Sequence, residues 1–133
     1  MTMINPRAFP LGRVDIRRTA PRRGRLLGDF AFVSPTQGEV TVSSGFETDY
    51  ASIPRVFWSI YPPDGDYTEA AVVHDYLYWY QPCTRAEADR VFLEAMEALG
   101  IPWHRRHILH KAVRMGGWIA WNKNQKERQL AET

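Results

Sequence analysis

Apolar and polar positions along this chain change their period, and each change marks a change of element. Residues 26–33 (Leu-Leu-Gly-Asp-Phe-Ala-Phe-Val) and 39–43 (Glu-Val-Thr-Val-Ser) are rich in strand formers, and Pro35-Thr36-Gln37-Gly38 supplies turn chemistry between them. They predict a β-hairpin. Further on, the pattern becomes helical. Thr84 with Glu87 three positions later is a capping box, and Asp66 with Glu69 resembles one, so helices are expected over about 67–80 and 85–99. In the second, Ala88, Val91, Phe92, Ala95, Met96 and Leu99 recur at three- and four-residue spacing, and Gly100 and Pro102 stop it. A third helix over about 103–122 carries Gly116-Gly117 inside it, at a cost of about 1 kcal/mol per glycine. The last ten residues are polar and are expected to fray.

Between the hairpin and the first helix, Gly-Phe-Glu-Thr-Asp-Tyr-Ala-Ser-Ile-Pro (45–54) reads as a loop, residues 55–61 are apolar, and Pro62-Pro63-Asp64-Gly65 redirects the chain. Residues 1–25 mix Pro, Gly and Arg without a period, which argues for an extended arm. The expected organisation is therefore an arm over 1–25, one globular domain over 26–125 and a polar tail over 126–133. The fold class is α+β: a small antiparallel hairpin or sheet on about three helices, two of them an antiparallel helical hairpin. A chain of 133 residues suits a single core.

Charge changes the picture at one end only. Residues 1–28 hold seven Arg against Asp15, while the remainder holds ten Lys and Arg against fourteen Asp and Glu, so a net charge of +2 hides a basic start on a mildly acidic body. Such an arm suits subunit contacts or self-association more than nucleic acid, and a solvated arm is the bland alternative. Cys83 is the only cysteine, which excludes an intramolecular disulfide and a cysteine-rich metal site. No apolar run nears the roughly 20 residues of a transmembrane helix.

The chemistry concentrates in the helical hairpin. The connection Gln81-Pro82-Cys83 is short, so the two helices lie side by side and antiparallel. His74 stands eight residues before Pro82 and Asp89 seven after it, which brings them to nearly equal height. A carboxylate that holds one imidazole nitrogen leaves the other as a general base. Tyr78, one turn from His74, can join the cluster, and Arg85, one turn before Asp89, competes for the same carboxylate. Asp75 points about 100° away around its helix, free for a cation, with Asp49 as a second candidate ligand. Thr48 and Ser52 are candidate substrate-facing loop residues, or turn residues that bond the local backbone. The bland alternative for His74 and Asp89 is a satisfied buried pair.

Two resemblances rest on these residues. The run at 45–54, then His-Asp-Tyr-Leu-Tyr at 74–78, then Arg85, Ala88-Asp89 and Phe92, resembles a family of uncharacterised small phage and prophage proteins. That implies a phage or prophage gene and a place in the virion or the bacterial host cytoplasm. The shorter pattern, His-Asp-x-x-Tyr on one helix and Ala-Asp-x-x-Phe on the next, is similar to the catalytic helices of phospholipases A2. It implies His74 as general base for water, Asp89 as its orienting partner, Asp75 as a calcium ligand, and a lipid or cell-envelope ester as substrate. The glycine-rich calcium loop of those enzymes has no counterpart here; Gly45 to Pro54 offers one glycine with Thr48 and Asp49. The rival expectation is a non-enzymatic tail or connector component. His104, His107 and His110 drift about 60° per step around a helix, so they predict a solvated basic face with Lys111 and Arg114 rather than a zinc site. Trp103, Trp118 and Trp121 are expected as its packed counterpart.

Overall fold

The computed structural model describes residues 4–21, 23–49 and 67–132. Ser52, the apolar segment 55–61, the turn at Pro62-Pro63-Asp64-Gly65 and Asp66 lie outside the described residues. Among the described residues the chain forms β1 (Ile16–Ala20), β2 (Arg23–Leu26), β3 (Phe30–Ser34), β4 (Gly38–Val42), β5 (Glu47–Thr48), α1 (Thr68–Tyr80), α2 (Arg85–Ala98) and α3 (Trp103–Ala131). The architecture is α+β, with two small antiparallel sheets ordered β1-β2-β5 and β3-β4 beside three helices.

The expected hairpin is β3–β4, paired from Phe30 opposite Val42 to Ser34 opposite Gly38. Gly38 closes the turn at a φ of 77°, a conformation costly for other residues. Phe30, Phe32, Val40 and Val42 are buried, each large apolar side chain contributing about 1.5–3 kcal/mol by leaving water.

The segment read as an arm is built into the domain. Phe9 is buried, its ring centroid 5.8 Å from Phe30 and 5.2 Å from Phe32. β1 pairs with β2, and β2 with β5. Only Gly24 and Leu26 of β2 turn inward, so Arg23 and Arg25 stay exposed. Apolar anchors at Phe9 and Leu26 place these residues, while the arginines that dominate the composition face water.

α1 is the central element, packed against both other helices and touching β4 and β5. Ala70, Ala71, Val72 and Val73 expose nothing. Its start differs from expectation: Tyr67 occupies the N-cap position without a side-chain capping bond. Glu69 instead accepts from the backbone N of Val14 at 3.2 Å and pairs with Arg13 at 3.7 Å, fastening the N-terminal segment to the helix. The capping box of α2 is present, Thr84 and Glu87 each receiving a backbone N–H from the other.

α3 runs 29 residues without a break, about 43 Å at 1.5 Å per residue, past both glycines and through the tail expected to fray. Leu109 and Val113 are its buried residues. Trp121 packs edge-on against Tyr78 at 5.1 Å. The tryptophan face expected beside it does not form: Trp103 and Trp118 are 66% and 55% exposed. No helix among the described residues is long and apolar enough to cross a membrane.

Candidate functional site

α1 and α2 place His74 and Asp89 at one level, as the count from Pro82 requires. His74 Nε2 lies 2.8 Å from Asp89 Oδ1, with the two side chains 2% and 0% exposed. Tyr78, one turn on from His74, donates its hydroxyl to the same Oδ1 at 2.6 Å. The imidazole is held on both flanks, 4.1 Å from the Tyr78 ring and 4.8 Å from Phe92.

The second carboxylate oxygen belongs to arginines. Arg114 of α3 donates to Asp89 Oδ2 at 2.7 Å, while Arg85 stands off at 3.4 Å and gives its closer bonds to the carbonyls of Val113 and Arg114, at 3.1 and 3.2 Å. Arg85 therefore caps α3 from the side more than it competes for Asp89. Arg114, expected on a solvated face, is the residue sequence reasoning missed. Burial alone would push the Asp89 carboxyl up, but His74, Tyr78 and Arg114 outweigh it and hold its pKa below the ordinary value of 3.8. Burial, and then the Asp89 carboxylate it donates to, push the Tyr78 phenol well above the ordinary range. An ionised Asp89 places the proton of neutral His74 on Nε2 and the lone pair on Nδ1. Nδ1 is buried and has no hydrogen-bond partner among the described residues.

Gly117 explains the second glycine inside α3. A Cβ there would collide with Tyr78 Oη and stand 3.2 Å from Arg85 Nη1, so bare backbone lets α3 close over the cluster.

Asp75, Thr48 and Asp49 also meet. The Thr48 hydroxyl and the Asp49 backbone N–H both donate to Asp75 Oδ2, the latter at 2.9 Å, tying the end of β5 to α1. That oxygen is engaged by donors, the reverse of what a cation needs. Among the described residues no three His, Cys, Asp or Glu side chains gather around a common ion position. Among the described residues the donor set falls short of the about six to eight oxygens that calcium wants. His104 and His107 are exposed; burial, then the charges of Arg114, His107 and Arg90, push the half-buried His110 down. Cys83 is not activated: burial, then Glu87 and Asp89, raise its thiol.

A cavity of about 370 Å³ joins the two clusters. His74, Asp75, Tyr78 and Trp79 line it from α1, Phe46 to Asp49 from β5 and the turn before it, and Ala112, Gly116, Gly117 and Ala120 from α3. His74 reaches this wall, and the Asp89 behind it does not. The arrangement can hold an oriented imidazole, its lone pair unspent, beside a small mixed polar and apolar chamber.

The comparisons with known proteins bear on the same residues. An uncharacterized protein of Sinorhizobium fredii, y4jT, is 35% identical over 112 residues, which is 81% of this chain and 33% of that protein. The chain thus spans about a third of the length of that curated relative. No solved structure matches the chain. A family described as protein of unknown function (DUF1353) matches residues 25–113, a span that contains His74, Tyr78, Arg85 and Asp89 and stops one residue short of Arg114. The chain belongs to this family of uncharacterised proteins, DUF1353.

Proposed function

We propose that the chain is a hydrolase of carboxylic esters in which His74 is the general base and Asp89 its orienting partner. The observation that supports this best is the state of the imidazole. Nε2 is committed to Asp89, while Nδ1 is buried without a partner among the described residues, in a ring that forms part of a cavity wall. A buried acceptor left unsatisfied costs about 1–3 kcal/mol, so the site favours a ligand that brings a donor. Water is the smallest such ligand.

The chemistry follows from those atoms. Nδ1 takes a proton from water as the water oxygen forms a bond to the acyl carbon. The imidazolium is stabilised by the ionised Asp89, and the collapse of the tetrahedral intermediate breaks the acyl–oxygen bond. The proton on Nδ1 leaves with the alcohol, so the products are a carboxylic acid and an alcohol. Tyr78 and Arg114 keep Asp89 fixed and charged throughout. Calcium is assigned no step, because Asp75 Oδ2 serves Thr48 and Asp49. A phage or prophage origin, with a lipid or envelope ester as target, belongs to the same proposal and is supported by the motif resemblance.

The test is hydrolysis of short acyl esters and phospholipid by wild type, His74→Ala and Asp89→Asn, each with calcium and with chelator. The proposal expects His74→Ala to lose about 10²–10⁴ in kcat/KM, with no effect of chelation on wild type. Equal rates in all three proteins, or no rate in any, would remove it. A second reading, a virion assembly component, is favoured by Met115, Trp118 and Ile119, which are 73%, 55% and 60% exposed on α3. It expects a stable self-assembled species in light scattering that survives His74→Ala.

A further inference from the structure

We propose that the α3 wall of the cavity is a seat for an unbranched aliphatic acyl chain, so that the substrate is a single-chain fatty acyl ester. Ala112, Gly116 and Ala120 recur every fourth residue and share one face of the helix, and all three line the cavity. None carries a side chain beyond Cβ. A Cβ built on Gly116 meets nothing within 4 Å, so the void begins at the helix backbone itself. From Ala112 to Ala120 the strip runs about 12 Å along the axis. Phe46 and Trp79 also line the chamber and supply apolar surface.

Small residues alone define no site; the buried imidazole supplies the second observation. His74 forms part of the wall with its Nδ1 unpartnered among the described residues, and its level on α3 is fixed by two contacts: Arg114 on Asp89, and Tyr78 against Gly117. The imidazole therefore stands at the level of Arg114 to Gly117, within the span of the strip. Arg23, Glu47, Thr48, Asp49 and Asp75 line the chamber as well, and Asn124 and Glu127 lie past the strip, so the apolar strip is bordered by polar groups. A ligand with a slender tail and a polar head matches an apolar strip bordered by polar groups. At about 370 Å³ the cavity sits near the lower limit of ligand pockets, roughly 300–1,000 Å³, and suits one chain better than a fused ring system.

Part of the seat lies beyond the family match. His74, Tyr78, Arg85 and Asp89 fall within the family match, and Gly116 and Ala120 lie beyond its end at residue 113. The inference rests on the ester-hydrolase reading only for which bond is cut; chain binding stands apart from it.

The experiment is calorimetric titration of octanoate, decanoate and laurate into wild type, Gly116→Leu, Ala120→Leu and His74→Ala, with Tm recorded for each. Wild-type affinity should rise about fourfold per added methylene until the seat is full. Both leucine variants should lose at least about tenfold for laurate, with the Tm of Gly116→Leu unchanged or raised because leucine is the better helix former than glycine. His74→Ala, which removes part of the wall, should weaken laurate binding less than either leucine variant does. Affinity that ignores chain length, or that is the same in Ala120→Leu as in wild type, would overturn the seat. Chain binding without ester hydrolysis would sink the dyad's proposed role and leave the seat. Hydrolysis without chain-length preference would do the reverse.

Discussion

α2 buries two carboxylates, and they differ in what they leave over. Glu94 is 8% exposed; its Oε1 accepts from Ser34 Oγ at 2.7 Å and Thr36 Oγ1 at 3.1 Å, and Arg90 stands 3.7 Å from Oε2. Ser34 also accepts the backbone N–H groups of Thr36 and Gln37, so this cluster pins the β3–β4 turn to the helix. Its described donors and acceptors are spent on each other. Asp89 is more deeply buried and better supplied with cations, yet its network ends in an imidazole nitrogen that no described residue satisfies. Burial of a charge is thus no mark of function. The mark is a leftover valence beside an open chamber.

The comparison breaks most visibly on truncation. Asp89→Ala strands Arg114 and His74 around an empty polar hole and should cost about 3–5 kcal/mol in a denaturant titration. Glu94→Gln keeps its shape and one acceptor, so a loss of about 1–3 kcal/mol is expected, with ester hydrolysis unchanged. Hydrolysis that fell with Glu94→Gln as much as with Asp89→Asn would erase the distinction between the two clusters.

Two glycines sharpen it next. Gly117→Ala drives a methyl into Tyr78 Oη and should cost about 1–3 kcal/mol, while Gly116→Ala enters open space and should stabilise by about 0.4–1 kcal/mol. Thermal melts of the pair measure the sign as well as the size.

Acid sensitivity is a smaller effect. The pKa of Asp89 is depressed in the folded protein, so its stabilisation is whole above the ordinary value of 3.8 and is lost as pH falls through the folded value. Asp89→Asn should therefore flatten the acid limb of a stability-against-pH curve. A limb of unchanged slope would mean that the carboxylate is not held ionised by its neighbours. Smallest is the cap of α2, remote from both clusters: Thr84→Ala should cost about 1 kcal/mol and leave hydrolysis alone.

Much of this was legible before any coordinates, for local reasons. Thr84 and Glu87 announce the start of α2, Gly100 and Pro102 its end, and the short Gln81-Pro82-Cys83 connection sets the height at which His74 meets Asp89. What was not legible acts across long stretches of chain. Arg114 reaches Asp89 from 25 residues away, and nothing in the periodicity of α3 separates it from the basic residues around it. Asp75 is tied to Thr48 across 27 residues, a contact that counting around α1 alone does not reveal. The N-terminal segment lacked a period because β1 and β2 are only five and four residues long and turn their arginines outward. One signal was available and under-read. A glycine inside a helix often marks a close approach, and Gly117 marks the place where Tyr78 and Arg85 press against α3.

Everything functional rests on where the proton of neutral His74 sits. Heteronuclear NMR of the His74 ring nitrogens, near neutral pH, reads this directly in the wild-type protein. The account predicts Nε2 protonated and bonded to Asp89, Nδ1 unprotonated, and loss of that fixed tautomer in Asp89→Asn. A proton resident on Nδ1 of neutral His74 in the wild type would contradict it, because a nitrogen that carries a proton cannot take one from water.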